Sequence, residues 1–217
     1  MSVRELFDPQ QLQAVRQATR RAEARTAGEV VTYVVGRCDE YREAWWTGAT
    51  LGALLAAMAA AGWSYLHELW GVPAAWLVAP PFAGAVAGYA LGRFVPPVQR
   101  LLVPDETLER RAARRAAEAF LEEEVFATRD RTGVLIFVAY HERRVVILRD
   151  AGINAKVDAA SWDVIAADLA RGIRQRRAAE ALVQAVEACG KLLAEHGVER
   201  RADDADELAN DVRVRDV

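Results

Sequence analysis

One stretch limits what the rest of this chain can be: from Ala44 to Gly92 the only charged residue is Glu68. The chain carries 28 Lys and Arg and 31 Asp and Glu, so charge and oil are sorted into separate segments. Ala44 to Leu66 reads AWWTGATLGALLAAMAAAGWSYL. At 1.5 Å per residue this run spans about 34 Å, enough to cross a bilayer core. Leu69 to Gly92 is again uncharged and long enough, with Pro80 and Pro81 at mid-depth, where neighbouring groups can satisfy the freed carbonyls. The competing reading is a pair of fully buried soluble helices, which the remaining residues would struggle to wrap. Trp45, Trp46, Trp63, Tyr65 and Trp70 gather at the segment ends, as interfacial aromatic belts do. Residues 44–96 are therefore expected to form a transmembrane helical hairpin, with spans at about 44–66 and 69–92.

Gly84, Gly88 and Gly92 recur every fourth residue, and Gly48 and Gly52 repeat that spacing in the first span. Small residues at this spacing let helix backbones approach closely. Two uses are open: packing within the hairpin, or a homodimer through the same small-residue face. Orientation follows from basic residues beside the spans: Arg37 and Arg42 precede them, Arg93 and Arg100 follow, and the turn between has neither Lys nor Arg. The positive-inside rule then predicts an inner-membrane, two-span protein with its soluble domain and both termini in the cytoplasm. The opening Met1-Ser2-Val3-Arg4-Glu5 has no apolar run behind it, so no secretory signal peptide is expected.

The charged remainder reads as one α/β domain. Asp8-Pro9-Gln10-Gln11 supplies an N-cap, a proline at the first helical position and a capping-box glutamine, with Phe7 and Leu12 as the staple. This helix should run to about Ala27 and stop at Gly28, before the β-branched strand Glu29–Val35. After the hairpin, a helix is predicted from Asp105 to about Ala127, with Leu108, Ala112, Ala116, Ala119 and Phe120 on one face. Gly133–Ala139 is a continuous apolar run, as in a central strand, and Arg144–Arg149 returns after a polar turn. Asp158 caps a helix striped by Trp162, Ile165, Leu169 and Ile173, and a last helix carrying Leu182, Ala185, Val186, Cys189 and Leu193 stops at Gly197. One helix and one strand cannot bury a core alone. Residues 1–43 and 97–198 are thus expected to build a single domain. The acidic tail 199–217 is expected to be flexible, with Val212 and Val214 able to dock as a short edge strand.

A net charge of −3 gives no overall pull toward nucleic acid, and no nucleic-acid partner is expected. Cys38 and Cys189 lack metal-ligand spacing and suggest no disulfide framework. There is no Gly-x-Ser-x-Gly, no Walker loop and no His-Glu-x-x-His.

Ala27-Gly28-Glu29-Val30-Val31, Arg131-Thr132-Gly133-Val134-Leu135-Ile136-Phe137-Val138, Arg143-Arg144-Val145-Val146-Ile147-Leu148 and the two C-terminal helices together resemble the TPM domain family. That family is named for a thylakoid lumen protein, a photosystem repair factor and a modulator of acetylcholine receptors. The chain is similar to its bacterial membrane-bound branch, with a transmembrane pair inserted after the first strand. The resemblance implies a three-layer α/β/α sandwich with a small mixed sheet, interrupted by the two-helix hairpin. It also implies phosphatase activity and, in some members, Ca2+ or Mg2+ held by acidic loop residues. The glycine-rich turn of the better-studied branch is here Arg149-Asp150-Ala151-Gly152.

If strands one and two run parallel and strand three returns, Glu29, Asp130 and Asp150 reach one sheet edge, with Asn154 nearby. Three carboxylates there can hold a hard cation; the bland alternative is that they cap and turn the chain. The opposite edge holds His141, Glu142, Arg143 and Arg144, which are expected to lie near the lipid headgroups. The resulting expectation is a membrane-anchored protein-interaction module of the cell envelope, with a lipid bilayer and a membrane or envelope protein as partners. The alternative is a Ca/Mg-dependent phosphatase of the TPM type.

Overall fold

The computed structural model describes residues 7–67, 71, 73–198 and 207–215. Trp70 of the aromatic belt and residues 199–206 of the tail lie outside them. The chain divides into two compact units, one running to Cys38 and resuming at Glu109, the other Asp39–Leu108. In chain order the elements are α1 (Pro9–Glu23), β1 (Glu29–Val35), α2 (Arg42–Leu66), α3 (Ala74–Phe94), α4 (Pro96–Leu102) and α5 (Asp105–Glu122). These are followed by β2 (Gly133–Ala139), β3 (Arg144–Arg149), α6 (Ala151–Asn154), α7 (Ala159–Arg174), α8 (Ala178–Glu195) and β4 (Arg213–Arg215).

In the first unit the sheet has the order β3-β2-β1-β4. β1 runs parallel to β2 and β4, and β2 antiparallel to β3. Every residue of β1 and β2 is buried, because alternate side chains enter two different layers. Val30, Val34, Val134, Ile136 and Val138 pack with Val15 and Ala18 of α1, Trp162 and Leu169 of α7, and Leu182 and Val186 of α8. Val31, Tyr33, Val35, Leu135, Phe137 and Ala139 pack with Ala112, Ala116 and Ala119 of α5. The unit is a three-layer α/β/α sandwich around a mixed sheet, and burial on both faces is why the two strands read as unbroken apolar runs.

The α1 capping box forms as its residues dictate: the Asp8 carboxylate accepts the Gln10 N–H at 3.1 Å and Gln11 Oε1 accepts the Asp8 N–H at 3.0 Å. The helix nevertheless ends at Glu23, short of the expected Ala27. Gly28 is not a left-handed cap, since the only glycines with positive φ among the described residues are Gly71 and Gly197. Its missing side chain instead admits Leu193, whose Cδ1 would lie 2.6 Å from a Cβ there. α5 also ends early, at Glu122 rather than Ala127. Glu124 takes φ 51°, the left-handed region that breaks a helix, and Val125 turns into the α5-side core. The last helix stops as expected, with Gly197 at φ 72°.

In the second unit α2 and α3 pack against one another through their glycines. A Cβ on Gly88 would sit well inside contact distance of the Gly48 carbonyl oxygen, one on Gly84 likewise against Gly52, and one on Gly92 would lie 2.6 Å from the Ala44 carbonyl oxygen. Both helices are long and apolar enough to cross a membrane, and in their most apolar windows 0% and 6% of residues are buried. That is the reverse of a soluble core helix. Pro80 and Pro81 lie inside α3.

Candidate functional site

The parallel register of β1 and β2 sets Glu29 opposite Gly133, and the Asp150 N–H donates to the Gly133 carbonyl at 2.9 Å. Glu29, the Asp130 loop and Asp150 therefore share one sheet edge. Their side chains have separate work. Glu29 is buried, and its Oε1 accepts the Glu207 N–H at 3.3 Å. Asp150 is buried, caps α6 by accepting the Ala151 N–H at 2.7 Å, and pairs with the Arg131 guanidinium at 2.8 Å. Asn154 donates to the Arg149 carbonyl at 3.2 Å. Asp130 is exposed. Among the described residues no three His, Cys, Asp or Glu side chains converge on one point. A hard cation asks for six or more oxygens. This edge offers dispersed carboxylates, one of them already matched by an arginine, so it does not fit such an ion.

At the other edge the turn between β2 and β3 is clamped to the chain leaving β1. Tyr140 and His141 donate N–H bonds to the carbonyls of Val35 and Gly36, each at 3.0 Å. Arg143 is exposed and takes φ 55°, while His141 and Arg144 are half-buried. The anchoring side chain of the turn is Glu142, which is buried and whose Oε1 accepts the Cys38 N–H at 2.8 Å.

An accessible concavity lies along β3. This strand is the edge of the sheet and is half-buried throughout. Because the Asp150 N–H bonds to β2, antiparallel alternation turns the backbone groups of residues 144, 146 and 148 inward. Val145, Ile147 and Arg149 then present their N–H and C=O groups outward. A cavity of about 340 Å³ follows this edge, walled by Ala112 and Ala113 of α5 on one side and Ala166 and Trp162 of α7 on the other. Small wall residues leave the space. Arg144 and Arg149 stand at the strand ends, with Glu109 and Asp163 on the walls, and the Arg149 guanidinium lies 5.7 Å from the Trp162 ring centroid. The sequence signal for this groove was the alanine spacing in α5, which reads as core face until the edge position of β3 is known.

Elsewhere, burial pushes the Cys189 thiol up to about 12. Burial also raises Tyr33, against the pull of Arg115, whose guanidinium donates to the Tyr33 hydroxyl at 2.6 Å.

A parallel strand pair with an antiparallel edge strand and helices on both faces define a three-layer α/β/α sandwich. Residues 98–192 match the family model of the TPM domain. No curated protein matches the chain. Among solved structures, the NMR structure of BA42 protein from the psychrophilic bacterium Bizionia argentinensis is similar, with TM-score 0.57 and 19% identity over 95% of this chain and 94% of that one. At that identity the likeness is one of fold.

Proposed function

We propose that this protein is a membrane-anchored interaction module of the cell envelope, whose TPM domain takes up an extended segment of a protein partner along the outer edge of β3. The groove on that edge carries the reading: an edge strand offers a row of backbone donors and acceptors, and added-strand recognition uses them for affinity while flanking pockets select alternate side chains. The alanines of α5 and α7 supply such pockets on both sides of the strand. A photo-crosslinking side chain placed at Ala113 or Ala166 in cells should capture a protein adduct. The same group at Val164, exposed on α7, should not. Equal capture from all three positions, or none, would remove the groove from the account.

Anchoring is by α2 and α3, and the arginines beside them favour a cytoplasmic TPM domain. A membrane-impermeant maleimide applied to intact cells reports this through Cys38, since Cys189 is buried. Protection until the membrane is permeabilised is the expected result, and labelling in intact cells would reverse the topology.

A further inference from the structure

The short helix α4 is built inside out. Its buried residue is Gln99, 1% exposed, whose amide donates to the Glu40 carbonyl at 2.9 Å, while the neighbouring Leu101 is 84% exposed. Water would reverse that choice, because hiding a leucine stabilises and exposing an amide costs nothing. α4 also does not trail away from the hairpin. The Cδ1 of Leu102 lies 3.4 Å from where a Gly48 Cβ would be, and Leu102 packs on Tyr41, Ala44, Trp45 and Val103. Leu101 is thereby held beside the first turn and a half of α2. Two more outward apolar groups belong to the same end: Phe94, 73% exposed, two residues past the Gly92–Ala44 contact, and Trp46, 67% exposed, whose ring meets Tyr89 at 5.7 Å. Between them Arg93 lies over the Trp45 ring at 4.3 Å and near the Phe94 ring at 5.5 Å. An arginine bedded among aromatics beside exposed leucine is the composition of a membrane–water boundary.

We infer that α4 is an interfacial helix: Leu101, Phe94 and Trp46 lie in lipid at the headgroup–acyl boundary of the bilayer that α2 and α3 cross. The occupant of this apolar face is lipid because the two spans packed beside α4 expose the same kind of surface, with Leu51, Leu55, Leu91 and Phe94 all turned out of the protein. The buried amide of Gln99 holds α4 at this depth, so the anchor is two spans and a surface helix. This rests on the membrane reading of α2 and α3.

The test uses the full-length protein in phosphatidylcholine vesicles, with Cys38→Ser to remove the native accessible thiol and a nitroxide at Leu101→Cys, Leu55→Cys or Glu106→Cys. Collision with oxygen reports lipid, and collision with a water-soluble nickel chelate reports water. The expected order of oxygen-to-nickel ratio is Leu55 highest, Leu101 intermediate and Glu106 lowest. If Leu55 is lipid-exposed but Leu101 matches Glu106, α4 is in water and the inference fails while the spans stand. If Leu101 is shielded from both reagents, protein covers it and the inference also fails. If Leu55 itself collides mainly with nickel, the membrane reading is what has failed.

Discussion

Three buried glutamates mark where the chain enters and leaves β1. Glu23 Oε1 accepts the Val30 N–H at 3.0 Å, Glu29 that of Glu207, and Glu142 that of Cys38. A backbone donor inside a protein must find a partner, and stripping that partner exposes its full desolvation cost. Glu142→Ala should therefore destabilise the protein by about 1–3 kcal/mol in denaturant titrations, whereas Arg143→Ala, on an exposed side chain of the same turn, should change little. Equal effects would mean that the clamp on Cys38 contributes nothing. The metal question belongs to the same scale. With the buried Asp150 carboxylate paired to Arg131, millimolar Ca2+ or Mg2+ should leave the thermal midpoint unchanged. A rise abolished by Asp130→Asn and Asp150→Asn would restore the cation site. The sequence pointed to Asp150 and to the polar turn, but a turn glutamate gives no hint that it is buried, because its partner lies 104 residues earlier in the chain. Arg131 was equally unreadable as a carboxylate's partner until β2 and β3 were in register.

Elements bounded by local signals were legible, and elements bounded by tertiary contact were not. Asp8 and Asp158 act within one turn of themselves and start their helices where expected, and Gly197 closes the last helix in the same local way. Gly28 and the end of α5 answer to Leu193 and Val125 instead, and so escaped. β4, three residues of Arg-Val-Arg, has too little apolar content to be more than a suggestion; it exists because β1 has a second edge to cover. The glycine spacing in α2 and α3 showed that close approach was available, and it is used inside the hairpin, Gly48 against Gly88 and Gly52 against Gly84. A methyl group at Gly88 must displace the Gly48 backbone, so Gly88→Ala should cost about 1–3 kcal/mol, the usual range for overpacking. Gly62, with nothing within 4 Å of a Cβ, is the internal control: Gly62→Ala should be neutral or slightly stabilising through helix propensity. Thermal unfolding of both variants in detergent separates a packing role from mere sequence spacing.

At the scale of the whole chain, the inserted unit separates β1 from the strand it pairs with. Glu29–Val35 matches Gly133–Ala139 residue for residue, and β4 arrives on the other side from the far end of the chain. Both apolar cores of the sandwich are made of residues outside Asp39–Leu108, and the hairpin has its own cluster around Tyr41, Trp45 and Leu108. Closing a loop of any length costs an entropy that grows only slowly, about 0.6 kcal/mol per doubling, so an insertion of this size weighs little against a sheet buried on both faces. Replacing residues 39–108 with a flexible Gly-Ser linker of about ten residues should therefore leave a soluble, folded sandwich. Amide exchange is the measurement: Val30 to Val35 should be as protected as Val134 to Val138, since they share one ladder at the centre of the sheet. Fast exchange confined to Val30–Val35 in a soluble protein would show that β1 holds its place only when the hairpin is present, and the two units would then have to be regarded as one folding unit.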